Sequence, residues 1–258
     1  MLFLHKGAVP FDPTRSAQWN RGAYLVEGLG HCGGCHTPRN LAGGEERSRA
    51  YSGGVAEGWR APALDATNPA ARRWTSTALY TYFKSGISPD HSAAGGPMGP
   101  VVESLSSVPD ADVRAIADYI ASKMTDRTGG TEPAPATRLT DNATAAAQSF
   151  SKGATIFAGA CAGCHGQGAP MMGQGRPSLG LASNLRDDDP TSAIQAVLSG
   201  IEPPIADRGP KMPAFADSLI DAQVAAVLAY ARARYTDRPA WPKLEKTVRE
   251  ARKESTQP

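Results

Sequence analysis

The chain has 258 residues, of which 41% are hydrophobic and 20% charged, and a formal net charge of +2. That length allows one to three domains, and the composition fits an ordinary soluble globular protein. No stretch approaches 18 apolar residues, which argues against a transmembrane helix, and Lys and Arg are scattered, so the charge gives no case for nucleic acid or an anionic membrane as partner.

In chain order, residues 1–16 carry Pro10 and Pro13 and read as a connecting arm. Met1 to Lys6 is far too short for the apolar centre of a signal peptide. A helix from Ala17 to about Leu29 runs into Cys32-Gly-Gly-Cys35-His36. After it comes an insertion rich in Gly and charge, Gly43 to Gly54, which belongs on a surface loop. Pro62-Ala63-Leu64 follows, then a helix that Thr75 or Ser76 can cap, then Ser85-Gly86-Ile87 and Met98 in a Gly-Gly-Pro-Met-Gly-Pro string. Ser107 to Asp110 has the form of a helix cap before Val113, Ile116, Ala117 and Ile120, which share one helical face. Thr125 to about Ala147 reads as a linker. The order then repeats: a helix from Phe150 to about Ala160, Cys161-Ala-Gly-Cys164-His165, Pro177-Ser178-Leu179, a helix opened by Asp189-Pro190, Ser199-Gly200-Ile201 and Met212. A last helix carries Leu219, Val224, Val227, Leu228 and Ala231 on one face, and a charged tail follows Tyr235. In that tail Leu244 and Val248 make only a faint apolar face, so a solvated helix is expected.

Every cysteine is used by the two Cys-x-x-Cys-His motifs, which is the attachment pattern of c-type haem. Two thiols add to the haem vinyl groups and the adjacent histidine supplies a nitrogen to iron. With 5 histidines in the chain, a His after both cysteine pairs by chance is roughly a one-in-a-few-thousand event. A zinc site shared by both pairs would need packing across units that look self-contained. A thioredoxin-like pair would need a βαβ context that is not visible.

The repeat selects the second iron ligands. From the Ser of Ser-Gly-Ile to the methionine is 13 residues in both copies, and from Pro to Met is 36 and 35. Met98 and Met212 are therefore the expected axial thioethers, held in extended loops by flanking Pro and Gly; a soft thioether favours Fe(II). His91 is a rival that would give a bis-His site. Met171 and Met172 lie too close to His165 to reach the other haem face, and His31 is expected to be exposed or hydrogen-bonded. Pro62 and Pro177 read either as turn prolines or as carbonyls that accept the N–H of the haem histidine. Trp59, Trp74, Tyr82, Phe83 and Phe215 are pocket or core aromatics. Gly22 with Tyr119, and Gly153 with Tyr230, suggest close crossing of first and last helices.

The strings Trp19 to Asn40, Gly58 to Leu64 and Gly95 to Val102 resemble class I cytochrome c modules, and more narrowly the multihaem cytochrome c subunits of bacterial periplasmic dehydrogenases. The resemblance covers about residues 15–235. It implies an all-α fold of two tandem class I cytochrome c domains joined by a linker: an arm at 1–16, domains at 17–126 and 148–236, a linker at 127–147 and a tail at 237–258. It implies two covalent haem c groups, with Cys32, Cys35, Cys161 and Cys164 attaching them and His36, Met98, His165 and Met212 on iron. The implied work is electron transfer in a subunit that is not itself catalytic. Electrons would come from a dehydrogenase and leave to a quinone or an oxidase.

The strings Tyr235 to Leu244 and Asp110 to Ala117 look closer to subunits serving molybdenum hydroxylases, which carry iron–sulfur clusters. Cytochrome subunits of flavin- or quinone-cofactor alcohol and sugar dehydrogenases are the alternative. A dihaem peroxidase-like enzyme, which needs one open iron, is the rival of another class. The implied location is periplasmic, with any membrane association made through partners. Members of the group usually carry three haem modules; this chain has two, and its opening resembles the connection after a first module. With haem attached outside the cytoplasm and no leader at its start, a mature or truncated product is expected.

Overall fold

The computed structural model describes residues 9–125, 139–169, 171, 177–203, 205 and 209–255. These residues are mostly helical and build two separate cores.

In the first core, α1 (Ala17–Tyr24) starts where Ser16 Oγ accepts the Trp19 N–H, and it continues as a π-turn over Leu25–Leu29. It crosses α5 (Asp110–Met124) closely. Gly22 makes this possible, because a Cβ there would collide with the Ala115 carbonyl and with Tyr119 Cβ. Val113, Ile116, Ala117 and Ile120 are all buried, as their spacing requires. α2 (Gly33–His36) is the turn of the first cysteine motif. α3 (Ser76–Ser85) begins at Thr75, whose Oγ1 accepts the Ala78 N–H.

Two features depart from expectation. A short antiparallel hairpin, β1 (Gly54–Ala56) and β2 (Trp59–Ala61), interrupts the helical pattern. An extra helix, α4 (Met98–Ser106), fills the interval before α5, so Ser107 closes α4 instead of capping α5, and Pro109 stands at the α5 start. The glycine-rich insertion is not all surface either, since Tyr51 within it is buried in the first core.

The second core repeats the arrangement. α6 (Ala143–Ser149) and α7 (Ser151–Ala160) lead to α8 (Ala162–His165), the second cysteine motif. α9 (Ser183–Arg186), α10 (Thr191–Leu198) and α11 (Asp221–Tyr235) complete the copy. Gly153 does for α7 and α11 what Gly22 does for α1 and α5: a Cβ would strike the Ala226 carbonyl and Tyr230 Cβ. Asp189 Oδ1 accepts the Thr191 N–H and hydroxyl, so α10 opens one residue later than expected, with Pro190 just outside it.

Of the expected linker, residues 127–138 lie outside the described set, whereas 143–147 belong to α6, tied to α11 by the Asn142 N–H to the Arg234 carbonyl at 2.8 Å. The charged tail is not a solvated helix. In α12 (Leu244–Ser255), Leu244, Val248 and Ala251 recur at helical spacing and are buried with Trp241 in the second core. Arg232, 2% exposed, reaches the carbonyls of Leu185, Asp187 and Pro239 at 2.6–2.7 Å and stacks on Trp241. No helix of the described residues is long and apolar enough to cross a membrane.

Candidate functional site

Each core opens onto an apolar cleft that contains one cysteine motif. The first is lined by Cys32, Cys35, His36 and Met98, with Val26, Leu79, Phe83 and Ile116 among its apolar walls. The second is lined by Cys161, Cys164, His165 and Met212, with Phe157, Leu185, Val227 and Leu228. Both repeat-selected methionines thus lie in the cleft of their own motif. Trp59, Trp74, Tyr82 and Phe83 line the first cleft and Phe215 the second, which makes them pocket residues.

The motif turns place the histidine against the cleft and the sulfurs beside it. His36 is 8% exposed and its Nδ1 lies 2.7 Å from the Pro62 carbonyl. With Nδ1 carrying the proton for that bond, Nε2 is left with a lone pair, the form needed by a metal-binding imidazole. Burial lowers the pKa of His36 and the bond to Pro62 opposes this. The structure therefore favours the carbonyl role over the plain turn role for Pro62. Pro177 lines the second cleft.

The histidine backbones are anchored differently. The Gly53 N–H donates to the His36 carbonyl at 2.9 Å, whereas the Tyr235 hydroxyl donates to the His165 carbonyl at 3.0 Å. Neither anchor is evident from the motif, because both come from parts of the chain that differ between the repeats.

Burial pushes the Cys32 and Cys161 thiols up to about 11. That is the reverse of the lowered thiol pKa a thioredoxin-like pair uses. Among the described residues no three His, Cys, Asp or Glu side chains converge as a metal set. His91 does not line either cleft. It is buried and stacked on Trp74, with ring centroids 3.5 Å apart. Met171 Sδ rests 3.4 Å from Cys164 Sγ, at the cleft edge, and Met172 lies outside the described residues. His31 is exposed, with φ 33°, and its carbonyl accepts the Gly34 N–H.

The methionines are presented in two ways. Met212 is extended, exchanging two 2.9 Å backbone bonds with Ile201. Met98 is instead the first residue of α4, so the expected extended loop holds only for the second copy. The matching bridge in the first copy joins Ile87 to Ala93.

The clefts share a wall. Ser92, Ala93, Asn184 and Ile201 line both. The two cores are pinned there: Ser192 Oγ accepts the Arg60 N–H and donates to the Arg60 carbonyl, each at 2.9 Å, and the Arg60 guanidinium lies 4.0 Å from Asp187. Motif reasoning misses this wall, although Ile201 closes the second Ser-Gly-Ile repeat and Ser92 and Ala93 lie soon after the first.

Comparison with known proteins finds cytochromes and dehydrogenase subunits. The family model for cytochrome c oxidase, cbb3-type, subunit III matches residues 148–230. A nicotinate dehydrogenase subunit of Pseudomonas putida is 45% identical over 247 residues, covering 93% of this chain and 20% of that protein. The gluconate 2-dehydrogenase cytochrome c subunit of Pantoea cypripedii is 34% identical over 255 residues, covering 92% and 56%. The fructose dehydrogenase cytochrome subunit of Gluconobacter japonicus is 32% identical over 240 residues, covering 85% and 49%. This chain spans from a fifth to just over half of the length of these relatives.

Proposed function

We propose that this chain, a relative of the cytochrome c subunits of bacterial dehydrogenases, is a two-haem electron carrier built from two tandem class I cytochrome c domains. One observation carries the reading: two apolar clefts, each with Cys, Cys, His and Met, share a wall of single side chains. Haem bound in each cleft would supply one-electron Fe(III)/Fe(II) chemistry.

The residues present suit that group. Cys32 and Cys35, and Cys161 and Cys164, are thiols free of disulfides and available for thioether bonds. His36 and His165 offer nitrogen, and Met98 and Met212 offer a neutral sulfur that favours the reduced metal. Apolar walls keep water away and lower the local dielectric, which disfavours the extra charge of Fe(III). The Arg60, Ser192 and Asp187 contacts hold the cores at one separation, so electron passage between them needs no domain movement. A carrier needs no bond-making residues.

The electron donor is proposed to be a dehydrogenase of the kind that oxidises an N-heteroaromatic compound such as nicotinate, with molybdenum and iron–sulfur clusters. The 45% identity to the nicotinate dehydrogenase protein supports this over the alcohol and sugar class, represented by 32–34% relatives. A quinone or an oxidase is the proposed acceptor and the periplasm the proposed location, since bacterial thioether attachment takes place outside the cytoplasm.

Optical spectra of the purified protein, oxidised and reduced, with haem quantified per chain, test the reading. Two covalent haems and a weak long-wavelength Fe–S(Met) band in the oxidised form are expected. The band should be lost when Met98→Ala and Met212→Ala are combined. A high-spin iron in the unaltered protein would overturn it in favour of a peroxidase-like protein.

A further inference from the structure

The isoleucines of the two Ser-Gly-Ile triplets each reach toward the other repeat's methionine segment. A Cβ built on Gly95 would lie 3.5 Å from Ile201 Cδ1, and one built on Gly209 would lie 3.7 Å from Ile87 Cδ1, both ordinary van der Waals contact. Gly95 stands three residues before Met98, and Gly209 three before Met212. Ile87 and Ile201 hold the same place in their repeats. Each repeat's isoleucine therefore faces the glycine that leads into the other repeat's methionine, across a gap the width of one methyl group. This reciprocal pattern is that of a two-fold contact, formed here within one chain.

The contact is confined on its other sides. Trp59 Cζ3 is also 3.5 Å from the Gly95 Cβ position, and at Gly96, with φ +53°, a Cβ would intrude on the Trp59 indole. The segment before Met98 is thus held between Trp59 of β2 and Ile201 of the second core. β2 is itself fixed to the second core through Arg60 and Ser192. Ile201 meanwhile exchanges both backbone bonds with Met212. One residue is bonded to one methionine and faces the approach to the other.

We propose that Ile201 is a positioning residue for Met98 and Ile87 for Met212, so that the two methionine segments brace each other. The proposal rests on the haem reading above. A thioether is a weak ligand, and its hold on iron depends on how firmly its segment is kept in place.

Imidazole titration of the ferric two-haem protein tests this. Imidazole replaces the methionine: the Fe–S bond breaks, an Fe–N bond forms, and no electron moves. In Met212→Ala the long-wavelength band reports the Met98 iron alone. Adding Ile201→Ala, which keeps the backbone bridge, should lower the imidazole concentration that halves the band by roughly tenfold, and Ile201→Val by about threefold or less. Ile194→Ala hollows the second core without touching Gly95 and should move that concentration by less than about twofold.

An unchanged midpoint in Ile201→Ala overturns the bracing. So does an equal shift in Ile194→Ala, which would mean general loosening. If Ile201→Ala does not fold, Ile201→Val and the mirrored pair, Met98→Ala with Ile87→Ala, decide by the same readout. A parent protein with two haems and no Fe–S band refutes the ligand assignment itself, before any isoleucine is altered.

Discussion

Val248→Ala tests whether the C-terminal helix is part of the second core. Val248 is fully buried, on the face of α12 that also carries Leu244 and Ala251. Truncation removes two methyl groups, worth about 0.8 kcal/mol each. A residual cavity of roughly 40 Å³ adds about 1 kcal/mol at the usual cost per unit volume. The expected loss is about 2.5 kcal/mol. At roughly 2–4 °C per kcal/mol for a chain of this size, the second core should melt about 5–10 °C lower. Far-UV circular dichroism, by heating and in urea, measures this. Val55→Ala is the control, because Val55 is 59% exposed and should shift stability by less than about 0.5 kcal/mol. Equal melting of the two variants would refute the packing argument and restore α12 as a solvated appendage.

Other expectations follow from single contacts. Burial lowers His91 to about 4, with the nearby Asp90 charge opposing and Arg72 adding. Above its ordinary value near 6.5 the imidazole is neutral in both folded and unfolded chains, and the full contribution is present. As pH falls from 6.5 toward 4 only the unfolded chain takes up the proton, so up to about 3 kcal/mol is lost. His91→Phe, which keeps a ring on Trp74, should flatten urea midpoints across that window; an unchanged slope would sink the argument. Gly22→Ala and Gly153→Ala should each cost roughly 1–3 kcal/mol through collision with a facing carbonyl, read as lower urea midpoints. Ser192→Ala removes the hydroxyl that both accepts from and donates to Arg60. The Arg60 amide should then exchange hydrogen about tenfold faster, and protection equal to the parent's would count against the pin.

What is legible in the sequence is whatever recurs. The cysteine motifs, the two methionines and the two glycine crossings each appear twice at matching spacing, and the structure places every one of them in the corresponding part of its core. Features present in one copy are lost. α4 occupies an interval longer than its counterpart, so the cap pattern at Ser107 points to the wrong helix. α12 reads as solvated because a stripe of Leu, Val and Ala among charged residues looks weak until α10 and α11 supply a groove for it. The shared wall is invisible for a different reason. Asn184, Ser92 and Ala93 carry no motif, and only the docking of the cores brings them together with Ile201.

The unlike settings of the two methionines bear on the potential each cleft presents. Met98 begins a nine-residue helix and so lies at the positive end of the α4 dipole, a pole blunted because the Met98 and Gly99 N–H groups are given to the Gly95 and Gly96 carbonyls and Pro100 has none. Positive potential beside a metal makes removal of an electron harder. Met212 sits in a paired extended segment, which has no such pole. If haem is held in each cleft as proposed, this contribution alone would favour an electron at the first site over the second.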